Sequence, residues 1–217
     1  MGGARVFLEG RSGSGKTTLL NLLGGVAEAE SGRIEILGQD LRGMSGARRD
    51  RFRADNVGFI FQLFNLVPYL SLIENITLPC RFSAARRQRI EARGATVEGE
   101  ARRLLDRLQL DAAALASRPV SELSVGQQQR VAAARALIGG PPLVIADEPT
   151  SSIDSEARGA FLNLLFDELG ESGATLLFVS HETALGPLFD QTIPLASINR
   201  APVNPASTGN AAAGADR

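Results

Sequence analysis

One nine-residue segment limits this chain more than its length does. Gly10-Arg11-Ser12-Gly13-Ser14-Gly15-Lys16-Thr17-Thr18 fits the spacing G-x-x-x-x-G-K-[ST], and both flanks are informative. Upstream lies the apolar run Arg5 to Glu9; downstream, Leu19, Leu20, Leu22 and Leu23 follow a helical pattern. A strand that turns through glycines into a helix points backbone N–H groups and a positive helix end at one small volume, which suits a chain of phosphates. Glycines allow the close approach, Lys16 neutralises the outer phosphates, and Thr17 offers a hydroxyl to Mg2+. Of the 23 basic residues, 22 are arginine and one is lysine, and that lysine is Lys16. A compact ammonium fits here where a planar guanidinium does not. Gly10, Ser12, Gly13, Ser14, Gly15, Lys16, Thr17 and Thr18 are therefore assigned to binding a triphosphate.

Strand and helix patterns alternate around this loop. Arg33 to Gly38 alternates with a period of two, Val57 to Phe61 is a second apolar strand, and Leu143 to Ala146 and Thr175 to Val179 are continuous apolar runs of the buried parallel kind. Helices are expected from Ser124 through Leu137, stopped by Pro141-Pro142, and from Ala160 to Leu169. Between about 64 and 123 helical patterns dominate, and Leu104, Leu105, Leu108 and Leu110 suggest one apolar face. The reading is one α/β domain over 1–199 containing that helical subdomain. Residues 200–217 are rich in Ala, Gly, Pro, Asn and Ser and are expected to form a disordered tail.

Asp147 and Glu148 follow the strand Leu143 to Ala146, at the C-terminal strand edge where open α/β sheets bind ligands. There Asp147 is expected to hold Mg2+ and Glu148 to polarise an attacking water. His181 follows another buried strand, so the chain's single histidine is assigned to the terminal phosphate or the water. Gln62 ends the strand from Val57 and is placed within reach of Mg2+ or the water.

With these residues in order, the chain resembles the ABC ATPase family. Leu123-Ser124-Val125-Gly126-Gln127 is similar to the family signature, Gln62 after Phe61 to its Q-loop, Ser151-Ser152-Ile153-Asp154 to its D-loop, and His181 after Val179-Ser180 to its switch histidine. The resemblance implies a P-loop NTPase with a mainly parallel sheet flanked by helices, an α-helical subdomain and a reduced antiparallel β subdomain. It implies ATP and Mg2+ as ligands, with Thr17, Gln62 and Asp147 holding the metal and Glu148, His181 and Gln62 serving hydrolysis. It also implies a head-to-tail homodimer in which Ser124, Gly126 and Gln127 reach the nucleotide of the other subunit, Asp154 touches that subunit, and an integral membrane permease receives the motion. Phe61 to Leu66, Leu72 to Ile76 and Gln127 to Arg130 most resemble the subgroup serving lipoprotein release, macrolide export and cell division. A soluble repair or translation ATPase and a small-molecule kinase are the alternatives. At the N-terminus the pattern departs: relatives carry antiparallel strands and an adenine-stacking aromatic upstream, and the fifteen residues before Lys16 leave no room for them. Either the start is placed too late, or the chain binds adenine poorly and leaves part of its small sheet unpaired.

Charge narrows the partners little, since 23 basic residues face 24 acidic ones. The arginines at 81, 86, 87, 89 and 93 are interleaved with glutamates and lack stacking aromatics, so they are expected to form a solvated helical face, with no nucleic acid. The apolar segment Phe64 to Leu72 has two readings, a docking groove for a permease helix or packing of the helical subdomain. The lone Cys80 is expected to be a small apolar residue. No apolar run approaches bilayer length, and the expected location is cytoplasmic, peripheral to the inner face of the cell membrane through the permease.

Overall fold

The computed structural model describes residues 3–11, 13–111 and 119–200; Ser12, part of the helical stretch read over 64–123, and the tail from 201 onward lie outside them. Five strands form one parallel sheet: β1 (Arg5–Glu9), β4 (Val57–Ile60), β5 (Leu143–Asp147), β6 (Thr175–Ser180) and β7 (Gln191–Pro194), in the order β4-β5-β6-β1-β7. Phe7, Val144, Ile145, Leu176, Phe178 and Val179 are all fully or almost fully buried. That is what a sheet covered on both faces requires of its strands. Register matters most for function: Glu9 lies opposite Ser180, and Asp147 opposite Val179. Three strands thus end side by side, and the residues that follow each are delivered to one edge.

Helices cover the faces. On one side α1 (Lys16–Leu23) and α2 (Gly46–Asn56) bury Leu20 and Phe52 with Leu8, Ile145 and Val179. The larger cluster joins α6 (Val125–Leu137) and α7 (Ser155–Ser172) to the helical block α3 (Leu72–Phe82), α4 (Ala84–Glu91) and α5 (Val97–Arg107). Each helix of that block has a side-chain cap: Ser71 with Glu74 in a reciprocal box, Ser83, and Thr96. Leu104, Leu105, Leu108 and Leu110 are all buried in the shared core, as is Cys80. The α/β parallel-sheet architecture expected from the sequence is borne out.

Several local expectations needed correction. The run Arg33 to Gly38 is not one strand but the first arm of a hairpin, β2 (Glu35–Ile36) against β3 (Gln39–Asp40), turned by Leu37 and Gly38 at φ 53° and 73°. Strand β7 and helix α2 were not anticipated. β7 is an edge strand that ends in a proline, and α2 is polar nearly all round, with Phe52 its buried residue. The arginine-rich helix is not simply a solvated face, because Arg86 is 2% exposed. Its guanidinium donates to the carbonyls of Ala54 (2.9 Å), Val57 (2.7 Å), Ala136 (3.2 Å) and Ile138 (2.7 Å), and burial pushes its pKa down to about 10. Arg89 adds bonds to Gly139 and Asp55 carbonyls. The segment Phe64 to Leu72 divides: Phe64 and Leu72 are buried, whereas Tyr69 stands 86% exposed.

Candidate functional site

The phosphate loop begins where β1 stops. Its first residue extends the strand ladder, Gly10 N–H donating to the Ser180 carbonyl at 3.2 Å. A Cβ on Gly10 would lie 2.9 Å from Ser14 Oγ and 3.1 Å from the Lys16 side chain, so the hollow of the loop exists because that atom is missing. Gly15, the N-cap of α1, holds φ at +92°, a value that side chains resist. Lys16 is 8% exposed, its ammonium donating to the Gly10 carbonyl at 2.7 Å and to Glu148 Oε1 at 2.5 Å. Ser14 Oγ is buried with no hydrogen-bond partner among the described residues. An orphaned hydroxyl inside a glycine cradle beside a buried cation is a set of groups still owed an anionic ligand. Gly13, Thr17 and Thr18 are exposed at the loop and the first turn of α1.

Glu148 gathers the opposite side. Its N–H donates to the Val179 carbonyl at 2.9 Å, which continues the β5–β6 ladder one residue past Asp147. The backbone then turns at φ +44°, a left-handed conformation uncommon for glutamate. One carboxylate oxygen meets Lys16, and the other lies 2.8 Å from His181 Nδ1. Burial pushes the Glu148 pKa up, but the hydrogen bond and charge of Lys16, joined by His181, outweigh it and leave the carboxyl below its ordinary value. Asp147 is shifted the other way, first by burial and then by the Glu148 charge, with Lys16 opposing. Adjacent carboxyls with opposite shifts are the pattern of a site with divided roles.

Gln62 and His181 face a cleft of about 410 Å³ that Glu148 and Arg11 also line. Lys16, Glu148, His181 and Gln62 are thus brought together, with Asp147 next in chain. Arg11 was not singled out in the sequence; its signal was its place inside the loop, the second position, where side chains vary without breaking the motif. The signature stands apart. Among the described residues no hydrogen bond joins Ser124, Gly126 or Gln127 to the loop and carboxylates. Instead Ser124 and Gln127 close a capping box on α6, at 2.9 and 3.3 Å. A Cβ on Gly126 would meet nothing within 4 Å. Asp154 caps α7, accepting from Ala157 N–H at 2.8 Å.

Thr17, Gln62 and Asp147 present hydroxyl, amide and carboxylate oxygens, the hard donors that suit Mg2+. No group of three or more His, Cys, Asp or Glu side chains capable of forming an all-protein metal cage occurs among the described residues.

Comparison with known proteins finds related sequences and a related fold. A family profile described as ABC transporter matches residues 2–151. A lipoprotein-releasing system ATP-binding protein of Rhodospirillum rubrum is 43% identical over 184 residues, 84% of this chain and 76% of that protein. An uncharacterized ABC transporter ATP-binding protein of Escherichia coli is 39% identical over 193 residues, 89% of this chain and 81% of its own length. Among solved structures, a dimeric ATP-binding cassette in a post-hydrolysis state with ADP and Pi superposes with TM-score 0.76 at 33% identity, covering 89% of this chain and 82% of that one.

Proposed function

This chain belongs to the ABC transporter family as one of its ATP-binding subunits, and we propose that it hydrolyses ATP as half of a head-to-tail homodimer that drives a separate membrane permease. The observation that carries the proposal is the Lys16–Glu148–His181 cluster at the shared end of β1, β5 and β6.

The chemistry follows from the side chains. Backbone N–H groups of Gly13, Gly15 and Lys16 take the phosphate oxygens, and the α1 N-terminus adds its positive potential. Lys16 has one ammonium for two anions, so phosphate competes with Glu148 for it. The competition frees a carboxylate that is already ionised, ready to accept a proton from water. His181 keeps Glu148 oriented from its other oxygen. Thr17, Asp147 and Gln62 would hold Mg2+, which when bound would screen phosphate charge. Ser124, Gly126 and Gln127 of one subunit close over the nucleotide of the other: the open space over Gly126 leaves that helix end clear for a phosphate to approach. The C2 arrangement makes two composite sites.

No helix among the described residues is long and apolar enough to cross a membrane. The transporter relatives support a permease partner, with the subunit at the cytoplasmic face. A groove of about 400 Å³ lined by Phe59, Phe61, Pro79 and Phe82 offers that partner an apolar seat. The names of the lipoprotein-releasing relatives favour lipidated proteins as cargo.

Glu148→Gln is the direct experiment. It should bind ATP, lose turnover and accumulate a dimer on size exclusion only when ATP is present, whereas Lys16→Ala should show no nucleotide binding by calorimetry. Turnover of Glu148→Gln at the wild-type rate would end the proposed role.

A further inference from the structure

Beyond the motif residues, one side chain reaches the phosphate loop from a distant part of the chain. β7 runs parallel to β1 with Pro194 opposite Glu9, so its end emerges at the same edge as Gly10. There the chain makes one short helix, α8 (Leu195–Ile198), pinned by Leu195, which is 2% exposed among Leu8, Leu20 and Val179. Asn199 follows, its N–H bonded to the Leu195 carbonyl at 2.8 Å. Its carboxamide Nδ2 donates to the Ser14 carbonyl at 2.9 Å, and a Cβ on Gly15 would lie 3.3 Å from that nitrogen.

We propose that Asn199 is a positioning residue of the phosphate loop, which orients the Ser14–Gly15 peptide for the nucleotide. In a trans peptide the carbonyl and the next N–H point to opposite sides. Holding the Ser14 carbonyl toward Asn199 therefore holds the Gly15 N–H on the opposite side of the peptide, the side that the proposal gives to phosphate. A donor on the carbonyl also polarises the peptide and strengthens that N–H as a donor. The buried, unpartnered Ser14 Oγ belongs to the same residue, so the peptide being fixed is the one whose side chain is owed a ligand. Gly15, at φ +92°, has no side chain to hold its backbone, and an external tether there restrains what the sequence leaves loose. Asn199 touches no reacting atom; it acts through the backbone.

This inference rests on the nucleotide-binding reading, and the experiment separates the two. ATP affinity of full-length wild type, Asn199→Ala, Asn199→Asp and Lys16→Ala is measured by calorimetry, alongside steady-state turnover and nucleotide-free thermal unfolding. Asn199→Ala should weaken ATP binding and raise KM by about three- to tenfold, the worth of one ordinary hydrogen bond, while kcat at saturating ATP and the nucleotide-free midpoint stay near wild type. Asn199→Asp has the same shape but sets an acceptor against the Ser14 carbonyl and a charge near phosphate, so it should weaken binding further. Alanine and aspartate variants that bind within twofold of wild type overturn the proposal, as do equal losses from both accompanied by a lowered midpoint, which would mark Asn199 as packing. Undiminished binding by Lys16→Ala would instead remove the nucleotide reading on which it stands.

Discussion

Asp147 and Glu148 are neighbours in sequence with opposite electrostatic fates. Lys16 and His181 compensate Glu148, while Asp147 carries the cost of burial and of its neighbour's charge. A carboxyl whose folded-state pKa is raised favours folding while protonated, and that advantage is lost as pH rises through the folded value. At neutral pH, ionised Asp147 therefore weighs against the fold. Asp147→Asn keeps the shape and removes the charge, so differential scanning calorimetry without nucleotide should show a midpoint a few degrees higher near neutral pH. The gain should fade as the pH falls through the raised folded value of Asp147 toward the ordinary carboxylate range, and be gone below it. The same variant should lose at least roughly tenfold in Mg2+-dependent turnover. Stability surrendered at a charged pair that binding later repays is the expected signature of a functional carboxylate; a lower midpoint near neutral pH would contradict it.

At the scale of elements, what was legible had a local cause. The strand–glycine–helix order around Lys16 and the carboxylates after β5 could be read because type, spacing and flanking pattern sit within a few residues of each other. Strand β7 and helix α2 had no such pattern, the one closed by proline at a sheet edge, the other stabilised by docking a single Phe52. The Asn199 contact spans 185 residues and has no sequence signal at all. The signature helix α6 lies between these cases. Its cap was readable as Ser124 with Gln127, but the reason for glycine at 126 was not. Its φ is not positive and a Cβ there meets nothing within 4 Å, so nothing among the described residues demands glycine. Gly126→Ala should leave the nucleotide-free midpoint unchanged or slightly raised, since alanine costs up to about 1 kcal/mol less than glycine inside a helix. In the Glu148→Gln background it should abolish the ATP-dependent dimer seen by size exclusion. An intact dimer would move the reason for Gly126 elsewhere.

Over the whole molecule, the helical block and the sheet must move or hold as connected bodies, and arginines make the connection. Arg135 of α6 donates to the Phe64 and Asn65 carbonyls, where the backbone after Gln62 takes φ values of 59° and 49°. Arg103 of α5 binds Glu168 of α7 at 2.6 Å. Arg86 is the most buried of these ties and joins α4 to the end of α2, the start of β4 and the end of α6 through four carbonyls. Charge patterning placed it with solvated neighbours because the acceptors are backbone atoms 29 to 52 residues away, which no charge pattern reports. Arg86→Met keeps length and apolar stem but strands those carbonyls in the interior. Losing one side of a buried polar network costs about 3–5 kcal/mol, enough to lower the midpoint of a domain this size by roughly 10 °C. Arg81 on α3 is the internal control. It is half in solvent, with one 3.4 Å contact to Glu74, and Arg81→Met should stay within about 0.5 kcal/mol of wild type. Paired urea melts of the two variants would compare them on one scale; equal midpoints would mean that Arg86 is not what holds the two bodies together.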